Sequence, residues 1–469
     1  MKPRGQQQWR EAGKAARKRV PRSSLAQWQP SPQRRDPIQI LIDQGDSRLP
    51  QLLPLRYERM LVSPFTFYRG AAAIMAADLG SKSMPQTGLI AQLAGDAHLA
   101  NFGGYASPER DFVFDVNDFD ETLPGPFEWD LKRLVASFAV AGRSQKFSTS
   151  QRRSMLVGIT AAYREAMAEF ATQTRLEVWY AHLDTAAILA KWAPGASEKR
   201  QSRFLAVVQK GQRKTSQRAL DQMTEVVAGQ LRFKSEPPIL VPISDILDPD
   251  QVGQFGAASK AGFDGYRRSL NNDIETLFNG YEFKTAAHKV VGVGSVGTRC
   301  WVTLFTVEGD DADPLVLQLK QAEASVLEPY AGRSRTSSHG QRVVFGQRLM
   351  QASSDIFLGW TSVTGLDGLK RDFYVRQLWD WKQSADLDNM DLATYGIYGQ
   401  MCGWTLARAH ARSGQRVELA SYLGTSDTVD RALADFAEAY ADQNEADYEQ
   451  MQQALADGRI TTMVDPKAT

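Results

Sequence analysis

Two cysteines, Cys300 and Cys402, are all that the 469-residue sequence holds. That number excludes a disulfide framework and a thiolate metal cluster. Five histidines, scattered without ligand spacing, leave a zinc site equally unsupported. Net charge is almost absent, since 55 lysines and arginines face 54 aspartates and glutamates. A global attraction to nucleic acid or to a membrane surface has nothing to work with, and neither partner is expected. No apolar run approaches the ~20 residues of a bilayer span. The basic first residues lead into no apolar core of the kind a secretory signal carries, so a cytoplasmic location is expected by default. There is no internal repeat.

What remains is an ordinary globular composition, 43% hydrophobic and 23% charged. The charge is unevenly spread. Up to Arg35 the chain is strongly basic, opposed only by Glu11, so residues 1–37 are expected to form a solvated, partly disordered arm. Helical apolar spacing begins near Ile38. It recurs over Pro64–Gly80, Trp129–Arg143, Thr149–Phe170, Ser197–Gly229, Gly340–Ala352, Leu392–Arg412 and Thr428–Ala456. Period-two alternation predicts strands in "TGLIAQLAGDAH", "RDFVFDVNDFDE" and "DFYVRQLWDWK". The stretch "KSEPPILVPISDILDPD" reads as an irregular linker.

Two constellations carry chemistry. The first is Asp96, His98 and Asn101 in "GDAHLAN", followed by Asp118 and Asp120 in "NDFD". Phosphoryl transfer needs a carboxylate near the nucleophile and oxygen ligands for Mg2+. Asp96 is the candidate base, Asn101 and Asp118 the candidate metal ligands. His98 is a candidate for chemistry or for packing. Capping turns on a surface loop would use the same residue types.

The second is Gly292, Gly294, Ser295 and Gly297 in "GVGSVG". A dinucleotide-binding fold needs a helix after such glycines. Here they run into "TRCWVTLFTV", rich in β-branched and aromatic residues, which predicts strand, loop, strand. An acidic turn, "EGDDADP", then leads to "LVLQLKQ", placing Lys320 on the third strand, where a kinase lysine grips phosphates. Glu328, or less well Glu323, would pair with Lys320. The backbone at Gln377 and Leu378 would hydrogen-bond adenine.

The first constellation resembles the catalytic and metal segments of the aminoglycoside phosphotransferases. That resemblance implies that Asp130, in "EWDL", is a structural carboxylate behind the loop. It also implies a histidine before the Gly-Asp pair, where this chain has Ala94. Across nearly its whole length the chain resembles the bacterial family known as domain of unknown function family 2252, through "VSPFTFYRGAAAIMAADL", "GDAHLANFG", "DVNDFDETLPGPFEWDLKRL" and "GVGSVGTR". In kinases the glycine loop comes before the catalytic loop; here it comes after, as a circular permutation would leave it.

The expected architecture is α+β, two-lobed and kinase-like. After the arm come a helical lobe over 38–285, a β-rich nucleotide lobe over 286–383, and completing helices over 384–469. The expected activity is ATP- and Mg2+-dependent phosphoryl transfer to a small-molecule hydroxyl. AMP transfer on the same fold and a non-catalytic nucleotide-binding regulator are the alternatives, the latter favoured by Ala94; a dehydrogenase ranks last. Arg69, in "FYRG", is either a phosphate or substrate contact or a surface salt bridge.

Overall fold

The computed structural model describes residues 5–463, apart from Ala193, Gly195, Ala196, Ala228, Glu308 and Gly309. Lys2 and Arg4 of the expected arm, and Glu308 and Gly309 of the expected acidic turn, lie outside the described residues. The fold is mixed α+β, with several antiparallel sheets. Among the described residues no helix is long and apolar enough to cross a membrane.

The largest sheet has six antiparallel strands in the order Gly359–Thr364, Lys370–Gln377, Asp310–Ala322, Cys300–Val307, Tyr281–Lys289 and Leu240–Pro242. Lys320 lies opposite Cys300 on one side and Tyr374 on the other, so its strand is central. Alternation along that strand sorts its side chains onto two faces. Val316 packs with Leu220, Val302, Leu304 and Leu378, whereas Leu315 and Leu317 pack with Phe263, Tyr266, Phe278 and Phe305 on the opposite face. Val316, Gln318 and Lys320 share one face, which turns from apolar to polar as it nears the cleft.

The helices carrying Leu220, Phe263 and Phe278 belong to the segment expected in the helical lobe. Their apolar faces cover the sheet instead, so the β-rich unit takes in chain well before residue 286. The expected helix over Ser197–Gly229 is two, Glu198–Gln212 and Ser216–Met223, followed by the hairpin of Thr224–Val227 with Gln230–Phe233. The expected linker supplies the edge strand Leu240–Pro242, a place where prolines are tolerated because no inward N–H is needed.

The remaining core forms around helix Phe127–Ser144, buried along most of its length and surrounded by Thr149–Phe170, Leu392–Ser413 and Thr428–Ala456. The single helix expected over Pro64–Gly80 is two, Pro64–Gly70 and Ala72–Leu79, because Ala71 leaves helical geometry at φ −107°, ψ 26°.

The basic arm also departs from expectation. Gln6–Arg19 forms a helix with Gly13 and Ala16 buried. The Arg17 Nε donates to the Tyr422 carbonyl at 2.9 Å and Arg22 Nη1 to that of Leu423 at 2.6 Å. These are the terminal carbonyls of helix Arg416–Leu423, the negative end of its dipole. Arg34 bridges the carboxylates of Asp78 and Asp447 at 2.7 and 2.6 Å. Part of the basic charge is therefore spent on docking the segment.

Candidate active site

The loop from Ala94 to Asn101 follows the short strand Ile90–Leu93 and is held from behind by a helix. The Asp130 carboxylate, near the start of Phe127–Ser144, accepts the amides of Ala94 at 2.7 Å and Gly95 at 3.0 Å. Arg133, one turn later, donates from Nε to the Asp96 carboxylate at 2.9 Å, with Nη2 on the Tyr68 carbonyl at 2.7 Å. Asp96 is thus fixed in direction by a buried guanidinium. Asn101 donates its side-chain amide to the Asp96 carbonyl at 2.8 Å, closing the loop on itself; among the described residues its Oδ1 meets no donor.

His98 is buried, and burial outweighs the pull of Asp96 to bring its pKa down to about 4. It is neutral at physiological pH, and its Nδ1 accepts the Ala100 amide at 3.1 Å. Its Nε2 faces the Asp96 carboxylate at 3.8 Å, so the ring braces the loop and also lines the cavity beside the candidate base.

Asp118 ends the segment that follows strand Phe112–Val116. That strand is anchored by Asp115, whose carboxylate meets Arg408 at 2.5 Å, both side chains 1% exposed. Burial works against charge on Asp118. Lys320 and then Arg376 overcome it, and the carboxyl is held down to about 2.

Lys320 reaches this segment from the sheet. Its ammonium is hydrogen-bonded to the Asp120 carboxylate and lies 3.6 Å from that of Asp118. The Tyr374 hydroxyl donates to the other Asp120 oxygen at 2.9 Å. Among the described residues no ion pair joins Lys320 to Glu328 or Glu323, which corrects the expected pairing. Glu328 opens a one-turn helix, and Glu323 accepts from Ser47 and Gln321. The longer helix after the lysine strand, His339–Met350, carries no glutamate and instead sends Arg342 to the Asp120 carbonyl at 2.7 Å.

The glycine loop spans the gap between strands Tyr281–Lys289 and Cys300–Val307, as the alternation predicted. Gly292 and Gly297 have φ of +67° and +90°, which side-chain-bearing residues rarely adopt. The loop is pinned from outside: Arg59 donates to the Gly292 carbonyl at 2.6 Å and Arg48 to that of Val296 at 2.5 Å. A cavity of about 250 Å³ runs between Gly292, Gly294 and Ser295 on one wall and Asp96, His98, Asn101 and Asp118 on the other. Arg69 lines it and, among the described residues, makes no ion pair, which speaks against the surface salt-bridge reading.

A second cavity, about 340 Å³, adjoins the first. Asn117, Val291 and Gln318 line it, next in the chain or on the same strand as Asp118, Gly292 and Gln321 of the first. Gln377 and Leu378 line it too, but both amides are already spent. That of Gln377 donates to Asp355 at 2.5 Å and that of Leu378 to the Val316 carbonyl at 2.9 Å. Neither amide is left to donate to adenine, which corrects the donor half of the expected backbone contact.

Sequence reasoning passed over His410 and Arg133, and it named Asp120 without foreseeing its contact with Lys320. His410, on helix Leu392–Ser413, places Nε2 3.3 Å from Asp130 and Nδ1 2.8 Å from the Tyr163 hydroxyl. It supplies, from the far end of the chain, an imidazole behind the loop that Ala94 lacks. The signal was its place at the end of a helix already singled out by pattern. That helix ends beside the loop's own strand, with Ser413 Oγ accepting the Gln92 amide at 3.1 Å across 321 positions.

No curated protein and no solved structure matches the chain. The family described as "Uncharacterized protein conserved in bacteria (DUF2252)" matches over residues 48–454, which include both constellations, and the chain belongs to that family.

Proposed function

We propose that this protein is a Mg2+- and ATP-dependent phosphotransferase acting on a hydroxyl of a small molecule, with a kinase-like cleft whose motifs are permuted along the chain. The observation that carries the reading is the meeting of Lys320 with Asp118 and Asp120, in one cleft with Asp96, Asn101 and the glycine loop. Phosphoryl transfer asks for these parts: a flexible backbone over the phosphates, a lysine, an oxygen-ligand pair and an oriented carboxylate. The contact of Ser413 with Gln92 supports the permutation, because it sets the end of the late helix against the strand that enters the catalytic loop.

Among the described residues no three His, Cys, Asp or Glu side chains converge as a closed metal site. Mg2+ does not require one, since it keeps waters and shares phosphate oxygens with one or two protein ligands. Asn101, through its open Oδ1, and Asp118, held ionised, fit that need. The ion would neutralise charge on the phosphates during transfer. Asp96, oriented by Arg133, would receive the acceptor's proton. Lys320 would exchange Asp120 for a phosphate oxygen, and Arg69 would face the transferred group or the acceptor.

A second reading, AMP transfer, is favoured by the spent amides of Gln377 and Leu378, which leave the expected base position without its donors. ATP labelled at the γ- or the α-phosphate, offered with a panel of sugars, aminoglycosides and amino alcohols, separates the two. Phosphotransfer predicts γ-label in a product, with an Asp96→Asn variant slowed by about 100-fold or more and still binding Mg-ATP. Alpha-label in the product establishes the second reading. Nucleotide binding with transfer of neither label contradicts both.

A further inference from the structure

The second cavity is unusually cationic. Lys214, Lys289, Arg376 and Lys382 line it, and among the described residues none of the four makes an ion pair. Its two acids do not offset them. Asp355 spends its oxygens on the amides of Phe357 and Gln377, and Asp380 is paired with Arg110 at 2.8 Å. Arg376 donates to the Gln318 side chain at 3.0 Å and to the Asn117 carbonyl at 3.3 Å, contacts that fix its place, while Asp118 and Asp120, outside the cavity's lining, favour its charge.

The wall that presents Lys382 is strained. Trp379 and Trp381 both have positive φ, +59° and +56°. Bulky residues in that region are strained, and such strain gathers at ligand sites. The two turns carry the chain through Asp380, whose carbonyl accepts the Ala106 amide, and aim Lys382 into the cavity. Charge on Lys382 is disfavoured, to a pKa of about 7, chiefly by Arg376 and then by burial, with Lys320 and Lys214 adding and Asp118 opposing. Mutual repulsion among cations that converge on one cavity is what a multiply charged anion would relieve.

We propose that this cavity is a binding site for an oligophosphate group, held by Arg376, Lys382 and Lys214. A purine finds few partners among these side chains, whereas phosphate oxygens find several. The group has two sources: a separate phosphorylated molecule bound beside the nucleotide, or a nucleotide whose phosphates lie here and not under the glycine loop. The second source would replace the phosphate placement proposed above; the anion site is independent of it.

Inorganic pyrophosphate is the probe, titrated by calorimetry into the full-length protein without Mg2+. Lys382→Met is expected to weaken binding by about tenfold or more, while Arg69→Met, which alters only the first cavity, stays within about threefold. Lys214→Met, after helix Glu198–Gln212, repeats the test should Lys382→Met not fold, as judged by circular dichroism. Absence of pyrophosphate binding overturns the proposal. So does binding that Lys382→Met and Lys214→Met leave unchanged, or that Arg69→Met abolishes instead. With the site established, competition by ATP assigns it to the nucleotide's own phosphates, and undiminished binding in saturating ATP assigns it to a second ligand. Pyrophosphate binding without any Mg-ATP binding would sink the nucleotide reading and leave the anion site standing.

Discussion

The Lys320 ammonium and the Asp120 carboxylate, 200 positions apart in the chain, are hydrogen-bonded across the cleft. This contact stands where a lysine–glutamate pair was expected, and it ties the sheet directly to the segment of Asp118 and Asp120. Asp118, 3.6 Å from the same ammonium, shares the cation. Removing Lys320 therefore leaves two carboxylates with only Arg376 and the Tyr374 hydroxyl named above as support, whereas removing Asp120 leaves Lys320 with Asp118. A double-mutant cycle of Lys320→Met and Asp120→Asn, read by urea denaturation, is predicted to show a coupling of about 1–3 kcal/mol, with Lys320→Met the more damaging single change. Additive effects would show that the pair contributes nothing of its own.

The buried pair Arg408–Asp115 fixes the strand from which Asp118 projects. Arg408 also donates to the Met350 carbonyl at 2.6 Å, so the late helix, the metal strand and helix His339–Met350 share one joint. Arg408→Met is expected to cost about 3–5 kcal/mol, because it strands an uncompensated buried carboxylate. Asp115→Asn with Arg408→Met together should recover part of the loss. Equilibrium denaturation of the three variants checks this.

Asp130 accepts two loop amides and lies next to His410, so it acts on the catalytic loop through position. Since the carboxylate can only accept, His410 Nε2 carries the proton and Nδ1 accepts from Tyr163. Loss of the acceptor in Asp130→Ala exposes two buried amides to roughly 1–3 kcal/mol of penalty in all. Hydrogen exchange at Ala94 and Gly95 should accelerate in Asp130→Ala and in His410→Phe. Unchanged protection at both amides would remove the positioning role.

Burial lifts the Glu121 carboxyl to about 7 from an ordinary 4.5, although Arg342 pulls the other way. The folded protein thus holds this proton where the unfolded chain has lost it. The contribution to stability is complete below pH 4.5 and declines as pH rises to about 7. Asp118, held at about 2, works in the opposite sense, losing its contribution only as pH falls below the usual carboxylate range. Glu121→Gln should flatten the stability profile between pH 4.5 and 7 by about 1–3 kcal/mol relative to wild type. A wild-type-like slope in that variant would assign the dependence to other groups.

The glycine loop, the lysine strand and the helices Thr149–Phe170 and Thr428–Ala456 were legible because periodicity and chain neighbours alone define them. The partners of Lys320 were not. Several acids follow that lysine in sequence, and only tertiary packing selects Asp120, from the other constellation. Nor could the spent amides of Gln377 and Leu378 be foreseen, because Asp355 and Val316 reach them from outside the local pattern. The basic arm misled for a related reason. Its arginines resemble solvated charges until helix Arg416–Leu423 offers them carbonyls.

The central claim is that residues from two distant segments form one nucleotide site. Calorimetric titration of Mg-ATP into wild type, Lys320→Ala and Asp118→Ala tests it most directly. The account predicts measurable binding by the wild type and a loss of about tenfold or more in each variant, with both still folded. Wild-type affinity in either variant, or no binding by a folded wild type at millimolar Mg-ATP, would contradict it.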